Sequence, residues 1–305
     1  MSRVLYEASD FPILQNRVYR TRKEAMSCPR GDILLVEDEE TGLIYNDAFR
    51  SDLMRYDANY NNEQANSPFF QKHLGAVKDI IRQELGDQSL VEVGCGKGAF
   101  SSLLKTKDYT GIEFSENARN IGRSLGRNII TESIEDHANS NEGIYDVVCS
   151  FQVVEHTSNP RTFIEGCTKA LKPGGTLILT TPAEDSFLQY IQDFALNMPP
   201  HHVTKWTDKC LTNLENQFNI KCVHLAHEPL NSFHIPWYFT SMVVHQLNKT
   251  LGISHSLIKC PRHLVSHGIA NVLYKLLGKD LPSVYQGHGH TVIAVYKKSA
   301  NGHPK

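Results

Sequence analysis

Three glycines spaced two apart, Gly94, Gly96 and Gly98, give the clearest chemical signal in this 305-residue sequence. They end a β-prone apolar run that begins at Leu90, and an amphipathic helical pattern follows from Phe100. A strand that turns into a helix through glycines lets the backbone approach a ligand closely, because no Cβ stands in the way. Free N–H groups at a helix start favour an anionic or electron-rich ligand edge. The stretch therefore predicts a nucleotide-type binding turn.

Two acidic residues accompany this turn. Glu92 stands two residues before the first glycine, and Glu113 stands 19 residues after it, where the next apolar run ends. An acid on the carboxyl edge of the neighbouring strand can accept hydrogen bonds from both ribose hydroxyls. We therefore expect Glu113 to bind a ribose, and the alternative is a solvated acid at a strand end. The glycine spacing is one residue shorter than in the dinucleotide-binding fingerprint.

The elements that must position these residues alternate along the chain. Alternating strands and helices indicate a parallel sheet covered by helices. The patterns predict strands near 90–94, 109–114, 128–131, 145–150, 175–181, 220–226 and 290–296. They predict helices near 99–106, 115–125, 134–139, 160–171, 183–195 and 207–217.

Four segments resemble the class I S-adenosylmethionine (SAM) methyltransferases. The glycine turn with Glu92 is similar to motif I of that family, and residues 132–136, 147–157 and 171–176 match later segments in the same order. The resemblance covers about residues 85–182. It implies a Rossmann-like α/β sheet, mostly parallel with an antiparallel last strand, and SAM as the cofactor.

The resemblance also implies roles for particular residues. Ser133 or Glu135 would meet the adenine amino group while Ile134 packs on the ring and Phe114 covers its other face. An alternative for Ser133 is helix capping. The implied cofactor-binding residues are Glu92, Gly94, Gly96, Gly98, Glu113, Phe114, Ser133, Ile134, Glu135, Phe151 and Gln152.

Three histidines are candidate general bases, because the pKa of histidine lies near neutrality. His156 follows the fourth predicted strand of the sheet, and it either acts as a base or orders its loop. His201 and His202 follow Pro199-Pro200, and we expect one to face the substrate while the other packs. A metal site built from this adjacent pair alone would lack further ligands, so no metal is predicted.

Residues 1–66 form a predicted N-terminal module with short strands near 33–36 and 43–45. Its segments 12–16, 29–32 and 41–46 resemble the start of sugar C-methyltransferases. That resemblance implies that Tyr60 and Gln64 approach the methionine end of the cofactor, whereas the alternative is a surface loop. The family's zinc-binding cysteines are absent apart from Cys28, so this module too is predicted to lack a metal.

The rest of the chain divides into a predicted SAM-binding core, 67–228 plus 289–299, and a helical insert, 229–288. Residues 229–305 hold 8 basic side chains and one acidic one, whereas residues 1–228 hold 23 basic and 32 acidic ones. A basic segment can meet phosphates, an acidic partner or anionic lipid, or dock onto the acidic body of its own chain. We expect the insert to form a substrate cap, a homodimer contact or a peripheral membrane contact.

Seven scattered cysteines without a C-x-x-C pair fit a reducing, cytoplasmic setting. No secretory signal or apolar run long enough to span a bilayer is visible. No nucleic-acid partner is predicted.

The sequence therefore predicts a SAM-dependent methyltransferase acting on a small molecule, with a nucleotide-linked sugar or another glycan precursor as the first candidate. The alternatives are an O-methyltransferase for a quinone-like or lipid substrate, a non-catalytic SAM-binding regulatory protein and, more distantly, an NAD-dependent oxidoreductase.

Overall fold

The computed structural model describes residues 2–13, 19–53, 71–75, 77–79, 88–104, 108–191, 197–253, 261–277 and 288–300. Tyr60 and Gln64 lie outside these residues, so their predicted contacts with the cofactor stay predictions.

The described strands and helices follow the predicted alternation closely. The strands are β1 (Ser2–Pro12), β2 (Arg30–Asp38), β3 (Ile44–Asn46), β4 (Leu90–Val93), β5 (Tyr109–Ile112), β6 (Ile129–Ile130), β7 (Tyr145–Phe151), β8 (Leu171–Pro182), β9 (Thr204–Lys205), β10 (Ile220–Pro229) and β11 (His288–Lys298). The described helices include α1 (Arg22–Met26), α2 (Glu116–Ser124), α3 (Ile134–Ser140), α4 (Pro160–Ala170), α5 (Asp208–Gln217), α6 (Ile235–Thr250) and α7 (Pro261–Leu277). Residues 71–75 and 77–79 are also helical.

The main sheet of the described chain has the strand order β6-β5-β4-β7-β8-β11-β10. The strands from β6 to β8 pair in parallel, and β11 runs antiparallel to both β8 and β10. The predicted mostly parallel sheet with an antiparallel last strand is confirmed. Because the parallel strands all point the same way, their carboxyl ends share one edge, which ligands use in open α/β sheets.

Both faces of this sheet are buried, as expected where helices cover a parallel sheet. Val91 and Val148 belong to one apolar cluster, and Leu90 and Val147 belong to another. The alternation of side chains along each strand sends neighbours to opposite faces. The sheet is therefore held rigidly from two sides, which fixes the positions of the loops at its carboxyl edge.

A second sheet, ordered β1-β2-β3-β9, joins the N-terminal residues to the main body. Strand β1 lies outside the predicted strands, because its apolar alternation is weak; seven of its eleven residues are exposed. Pairing with β2, interrupted by two register shifts, makes it a strand. The two-residue strand β9 pairs with Ile44 and Tyr45, directly after the His201–His202 pair.

One predicted helix is wrong in the part that the structure describes. Instead of a helix over 183–195, Ala183 bridges Trp206, and a short 3₁₀ turn covers Phe187–Tyr190. The Ala183 N–H donates to the His290 carbonyl oxygen and the Glu184 N–H to that of Trp206. These long-range contacts hold Ala183 in a β-bridge, so the predicted helix does not begin there. The helix predicted over 99–106 begins as a 3₁₀ helix at Ala99–Leu103.

The predicted helical insert before the last strand is confirmed by α6 and α7. The first helix, α6, packs on the 3₁₀ turn through the Tyr190 and His245 rings, whose centroids are 4.6 Å apart. The second, α7, packs on α6. Within the described residues, none of the helices has the length and apolar character needed to cross a membrane.

Candidate active site

The three glycines form the turn that leaves β4. Gly94, Gly96 and Gly98 all have left-handed backbone, with φ of 75°, 55° and 72°. A Cβ on Gly94 would lie 2.3 Å from Cγ2 of Val153, whereas a Cβ on Gly96 would meet nothing within 4 Å. Gly94 is therefore required by a neighbouring side chain, and Gly96 borders open space where a ligand can approach the backbone.

The Glu113 carboxylate lies beside this open space. Its Oε2 accepts the Gly96 N–H at 2.8 Å, and its Oε1 accepts the Ser115 N–H at 2.6 Å. Both bonds leave lone pairs on each oxygen, because a carboxylate has about four acceptor sites. A fixed carboxylate next to an open glycine backbone has the chemistry to receive two ribose hydroxyls.

Arg127 holds the glycine turn from behind, and the sequence did not single it out. Its Nη1 donates to the Lys97 carbonyl oxygen, and its Nη2 donates to Ser102 Oγ at 2.7 Å. Its Cδ would lie 3.0 Å from a Cβ on Gly98. This side of the turn is thus filled by protein, so Gly98 is enclosed and any ligand must approach from the other side.

Glu92 points into the protein interior. It is buried and accepts a hydrogen bond from the Tyr109 hydroxyl. Burial raises the pKa of its carboxyl to about 8, and the Tyr109 hydrogen bond opposes that rise. The described hydrogen-bond partner of Glu92 is thus Tyr109, and the assignment of Glu92 as a cofactor-binding residue stays a prediction.

The residues expected around the adenine ring differ in their exposure and contacts. Ser133 caps α3 by accepting the Asp136 N–H, and Glu135 Oε1 accepts the Thr162 hydroxyl at 3.2 Å. Ile134 is only 2% exposed and belongs to the main apolar cluster, so it offers little surface to a ring. The expectation that Ile134 covers the adenine therefore needs correction: it faces the core because it follows the cap on the inner side of α3. Phe114, by contrast, is 68% exposed.

The end of β7 brings Phe151 and Gln152 to the same edge of the sheet. The Phe151 ring is buried and meets the Phe100 ring edge-on at 4.9 Å. Gln152 has a φ of 56°, unusual for a residue with a side chain, and its Nε2 is buried without a hydrogen-bond partner. A buried donor without a partner is costly, so this amide is suited to bind an oxygen of a ligand.

The three predicted base candidates lie together. A ligand nitrogen from each of His156, His201 and His202 lies within 4.8 Å of the other two. The rings of the adjacent pair stack, with centroids 5.1 Å apart and an angle of 18°. The two rings therefore point the same way, and which of them faces a substrate stays a prediction. The two residues sit in a turn, where successive side chains do not alternate as they do in a strand.

Hydrogen bonds orient two of these rings. His156 Nδ1 lies 2.7 Å from the His201 carbonyl oxygen, which can only accept, so this nitrogen carries the proton and Nε2 keeps a lone pair. His202 Nδ1 lies 3.0 Å from Asn197 Oδ1. Burial lowers the pKa of His156, takes that of His201 to about 3 and lowers that of His202 far below the usual range. The cluster is therefore neutral near physiological pH.

Three neutral imidazoles are also a possible ligand set for a divalent cation, since catalytic zinc is often held by three histidines. The prediction that no metal binds was argued from the adjacent pair alone, and the fold supplies the third histidine that the argument lacked. The absence of a metal from this cluster stays a prediction.

Glu155 lies under this cluster and was not singled out in the sequence. It is 1% exposed, its Oε2 accepts the Thr181 hydroxyl at 3.2 Å, and its Oε1 has no hydrogen-bond partner. Burial raises the pKa of its carboxyl to about 8. The acidic residue before His156 is thus a buried, protonated group at pH 7. Its place in an apolar Val-Val-Glu-His run was the available signal.

A further buried polar group reaches the same edge from distant parts of the chain. His73 lies between Glu228, which its Nδ1 contacts closely, and Thr180, whose Oγ1 is 3.2 Å from its Nε2. The His73 ring also meets the Phe151 ring edge-on at 6.1 Å. Nothing in the local sequence connects residues 155 positions apart, so sequence patterns gave no signal for this group.

Comparison with known proteins identifies the family of this chain. A family profile described as a methyltransferase domain matches residues 60–225, more than half of the chain. The chain belongs to this methyltransferase-domain family.

Individual relatives match shorter stretches. The ubiquinone biosynthesis O-methyltransferase of Hydrogenovibrio crunogenus is 35% identical over 107 residues, 32% of this chain and 44% of the relative. The mitochondrial ubiquinone biosynthesis O-methyltransferase of Dictyostelium discoideum is 27% identical over 191 residues, 54% of this chain and 59% of the relative. The chain thus spans about half the length of the curated relatives it matches. A SAM-dependent methyltransferase structure from Archaeoglobus fulgidus has 16% identity and a TM-score of 0.47, and covers 75% of this chain and 98% of its own.

The chain thus carries a methyltransferase domain, and the residues at its sheet edge fit SAM as the cofactor. The open backbone at Gly96, the oriented carboxylate of Glu113 and the unpartnered amide of Gln152 match a ligand that carries ribose hydroxyls and charged groups.

Proposed function

We propose that this methyltransferase transfers a methyl group to a hydroxyl oxygen on an aromatic, quinone-like acceptor. The observation that carries the proposal is a group of aromatic rings at the end of β8. The Phe187 ring meets the Trp237 ring at 5.0 Å, the Tyr238 ring at 5.5 Å and the His290 ring at 6.0 Å, all nearly perpendicular. Aromatic side chains contact flat rings favourably in both stacked and edge-on arrangements.

The histidine cluster lies beside the same strand end. Thr181, near the end of β8, hydrogen-bonds Glu155, and the next residues lead through Ala183 to Phe187. We therefore place the acceptor's ring against the aromatic group and its hydroxyl towards the histidines, because both groups are connected to the end of β8.

The protonation state of the cluster favours a phenolic hydroxyl over an alcohol. Burial lowers the pKa of His156, so its imidazole is neutral, and its Nε2 lone pair can accept a proton. Such a group is a weak base. A phenol ionises near pH 10, as tyrosine does, so a weak base can assist its deprotonation far better than that of an alkyl hydroxyl.

SAM supplies an electrophilic methyl group on a sulfonium when it is bound. The chain's own contribution is alignment and proton transfer. Glu113 would hold the ribose hydroxyls, the Gly94–Gly96 backbone would border the cofactor, and Gln152 Nε2 would donate to one of its oxygens. His156 Nε2 would take the acceptor's proton, with His201 and His202 as the alternative bases.

The relatives support this acceptor class. Both compared proteins are named for O-methylation in ubiquinone biosynthesis, although this chain spans about half of each.

A nucleotide-linked sugar is the second candidate. It is favoured by the N-terminal sheet, whose segments resemble sugar C-methyltransferases and whose strand β3 pairs with β9 next to His202. Against it, the exposed cations of the described insert, Lys249 and Lys275, lie in the last turn of α6 and near the end of α7, whereas the start of α6 presents aromatic rings.

The test is a methyl-transfer assay with SAM on two panels, hydroxylated phenols and quinols with apolar tails, and nucleoside-diphosphate sugars, with products identified by mass spectrometry. We expect methylation of a phenolic oxygen. Methylation of sugars alone would refute the proposal in favour of the second candidate. Calorimetry with S-adenosylhomocysteine establishes that the cofactor site is intact in each preparation.

The histidine roles are tested in the same assay. His156→Gln should lower kcat on the phenolic acceptor by about 10²-fold or more while leaving S-adenosylhomocysteine affinity unchanged. His224→Gln, on the exposed part of β10, is the matched control. An unchanged kcat and pH profile in His156→Gln would assign the base role to another residue.

A further inference from the structure

Helix α7 carries an apolar stripe on its outer face. Val265, Ile269, Val272 and Leu276 follow the spacing i, i+4, i+7 and i+11, so they share one side of the helix. They are between 41% and 71% exposed. Leu264 and Leu277 extend the same surface. We call these six residues the α7 stripe. A contiguous apolar surface of this kind marks an interaction site rather than ordinary scattered exposure.

The inner face of α7 combines small and polar residues with one aromatic contact. Ser266 and Ala270 are fully buried against α6, and Ser266 Oγ donates to Asn248 Oδ1 at 2.9 Å. The Tyr274 ring meets the Phe239 ring of α6 at 5.8 Å. Small residues and a polar contact between helices, with large apolar side chains facing outward, reverse the usual order of a surface helix. This arrangement is typical of helices whose surroundings are apolar.

The charge of this segment indicates what kind of apolar surroundings the α7 stripe contacts. Residues 229–279 contain five Lys or Arg residues and no Asp or Glu. Lys249 and Lys275 are exposed, and Lys275 directly precedes Leu276 of the stripe. Lys275, the described cation next to the stripe, favours a surface of anionic lipid headgroups, which attract lysine side chains.

We propose that the α7 stripe lies on an anionic phospholipid bilayer, with α7 in the plane of the headgroups. The helix has 17 residues and does not have the character of a membrane span, which fits a position along the surface. The partner helix α6 places Trp237 and Tyr238 against Phe187, so the bilayer contact is one helix away from the aromatic group described above. The inference does not depend on the identity of the methyl acceptor.

The test is flotation of the full chain with two kinds of vesicle, phosphatidylcholine alone and phosphatidylcholine mixed with phosphatidylglycerol. We expect binding to the mixed vesicles to be about tenfold stronger, and to weaken in high salt. The double variant Ile269→Gln/Leu276→Gln should lose most of this binding. Leu125→Gln, which changes an equally exposed leucine on the main body, should keep it.

Circular dichroism melting curves establish that each variant folds, and the substituted side chains are exposed enough for no loss of stability to be expected. Equal binding to both kinds of vesicle, or full binding by the double variant, would overturn the proposal. The proposal would also be overturned if the chain does not bind vesicles, is a dimer in sedimentation equilibrium, and becomes a monomer in the double variant. That result would assign the stripe to contact with a second copy.

Discussion

The close approach of Val153 to Gly94 makes a sharp prediction about the glycine turn. In Gly94→Ala the new Cβ would lie 2.3 Å from Val153 Cγ2, on a residue whose φ is 75°. In Gly96→Ala the φ is 55°, but no atom lies within 4 Å of the new Cβ. The first variant therefore carries backbone strain and a steric clash, and the second carries backbone strain alone.

The two costs can be separated in magnitude. A left-handed backbone costs a residue with a Cβ about 1–2 kcal/mol. Forcing an additional methyl group into a filled site costs about 1–3 kcal/mol, and valine relieves a clash poorly because its χ1 rotation is restricted. We expect Gly96→Ala to lower the free energy of unfolding by about 1–2 kcal/mol, and Gly94→Ala by about 2–5 kcal/mol.

Urea denaturation of four proteins measures this difference: Gly94→Ala, Gly96→Ala, Val153→Ala and the Gly94→Ala/Val153→Ala double variant. In the double variant the clash disappears, so the two substitutions should be coupled favourably by about 1–3 kcal/mol. If the double variant shows simple additivity, or if the two glycine variants are equally unstable, Val153 is not the reason that position 94 requires glycine.

Three further predictions concern Glu155, Arg127 and the histidine cluster. Burial raises the pKa of the folded Glu155 carboxyl from 4.5 to about 8, so its contribution to stability is complete below about pH 4.5 and is lost as the pH rises through 8. Glu155→Gln should therefore show a smaller fall in melting temperature over that pH range than the unsubstituted chain, and parallel curves would contradict this. Arg127→Lys should weaken S-adenosylhomocysteine binding about tenfold in calorimetry, because lysine cannot reproduce both hydrogen bonds of the guanidinium, to Lys97 and Ser102. The control variant Arg161→Lys, on the exposed side of α4, should bind normally. A strong chelator should leave methyl transfer unchanged if the histidine cluster acts without a metal, and restoration of lost activity by zinc alone would show the reverse.

Much of the cofactor side of the protein could be predicted from sequence, because it is encoded locally. The strand that ends in Gly94-x-Gly96-x-Gly98 and the acid that ends the next strand both depend on short stretches of chain. Hydrophobic periodicity then specifies which neighbouring elements are strands and which are helices. The parallel order follows from their alternation, and it brings Glu113 beside Gly96, where the two are hydrogen-bonded.

The acceptor side depended on contacts that no local pattern encodes. His156 meets His201 and His202 across 45 residues or more, and His73 meets Glu228 across 155. The helix predicted from residue 183 does not begin there, because Ala183 forms a β-bridge with the distant Trp206.

The burial of individual side chains also decided structural roles that the residue type alone did not specify. Ile134 is a core residue and not a free surface for a ring, Glu155 is a protonated carboxyl, and the apolar residues of α7 face outward. The sequence by itself predicted a cofactor site at the end of the first core strand and the α/β fold around it. Only the tertiary structure brought His156, His201 and His202 together and decided which side chains are buried, because solvent exposure and the pairing of distant segments are properties of the folded chain as a whole.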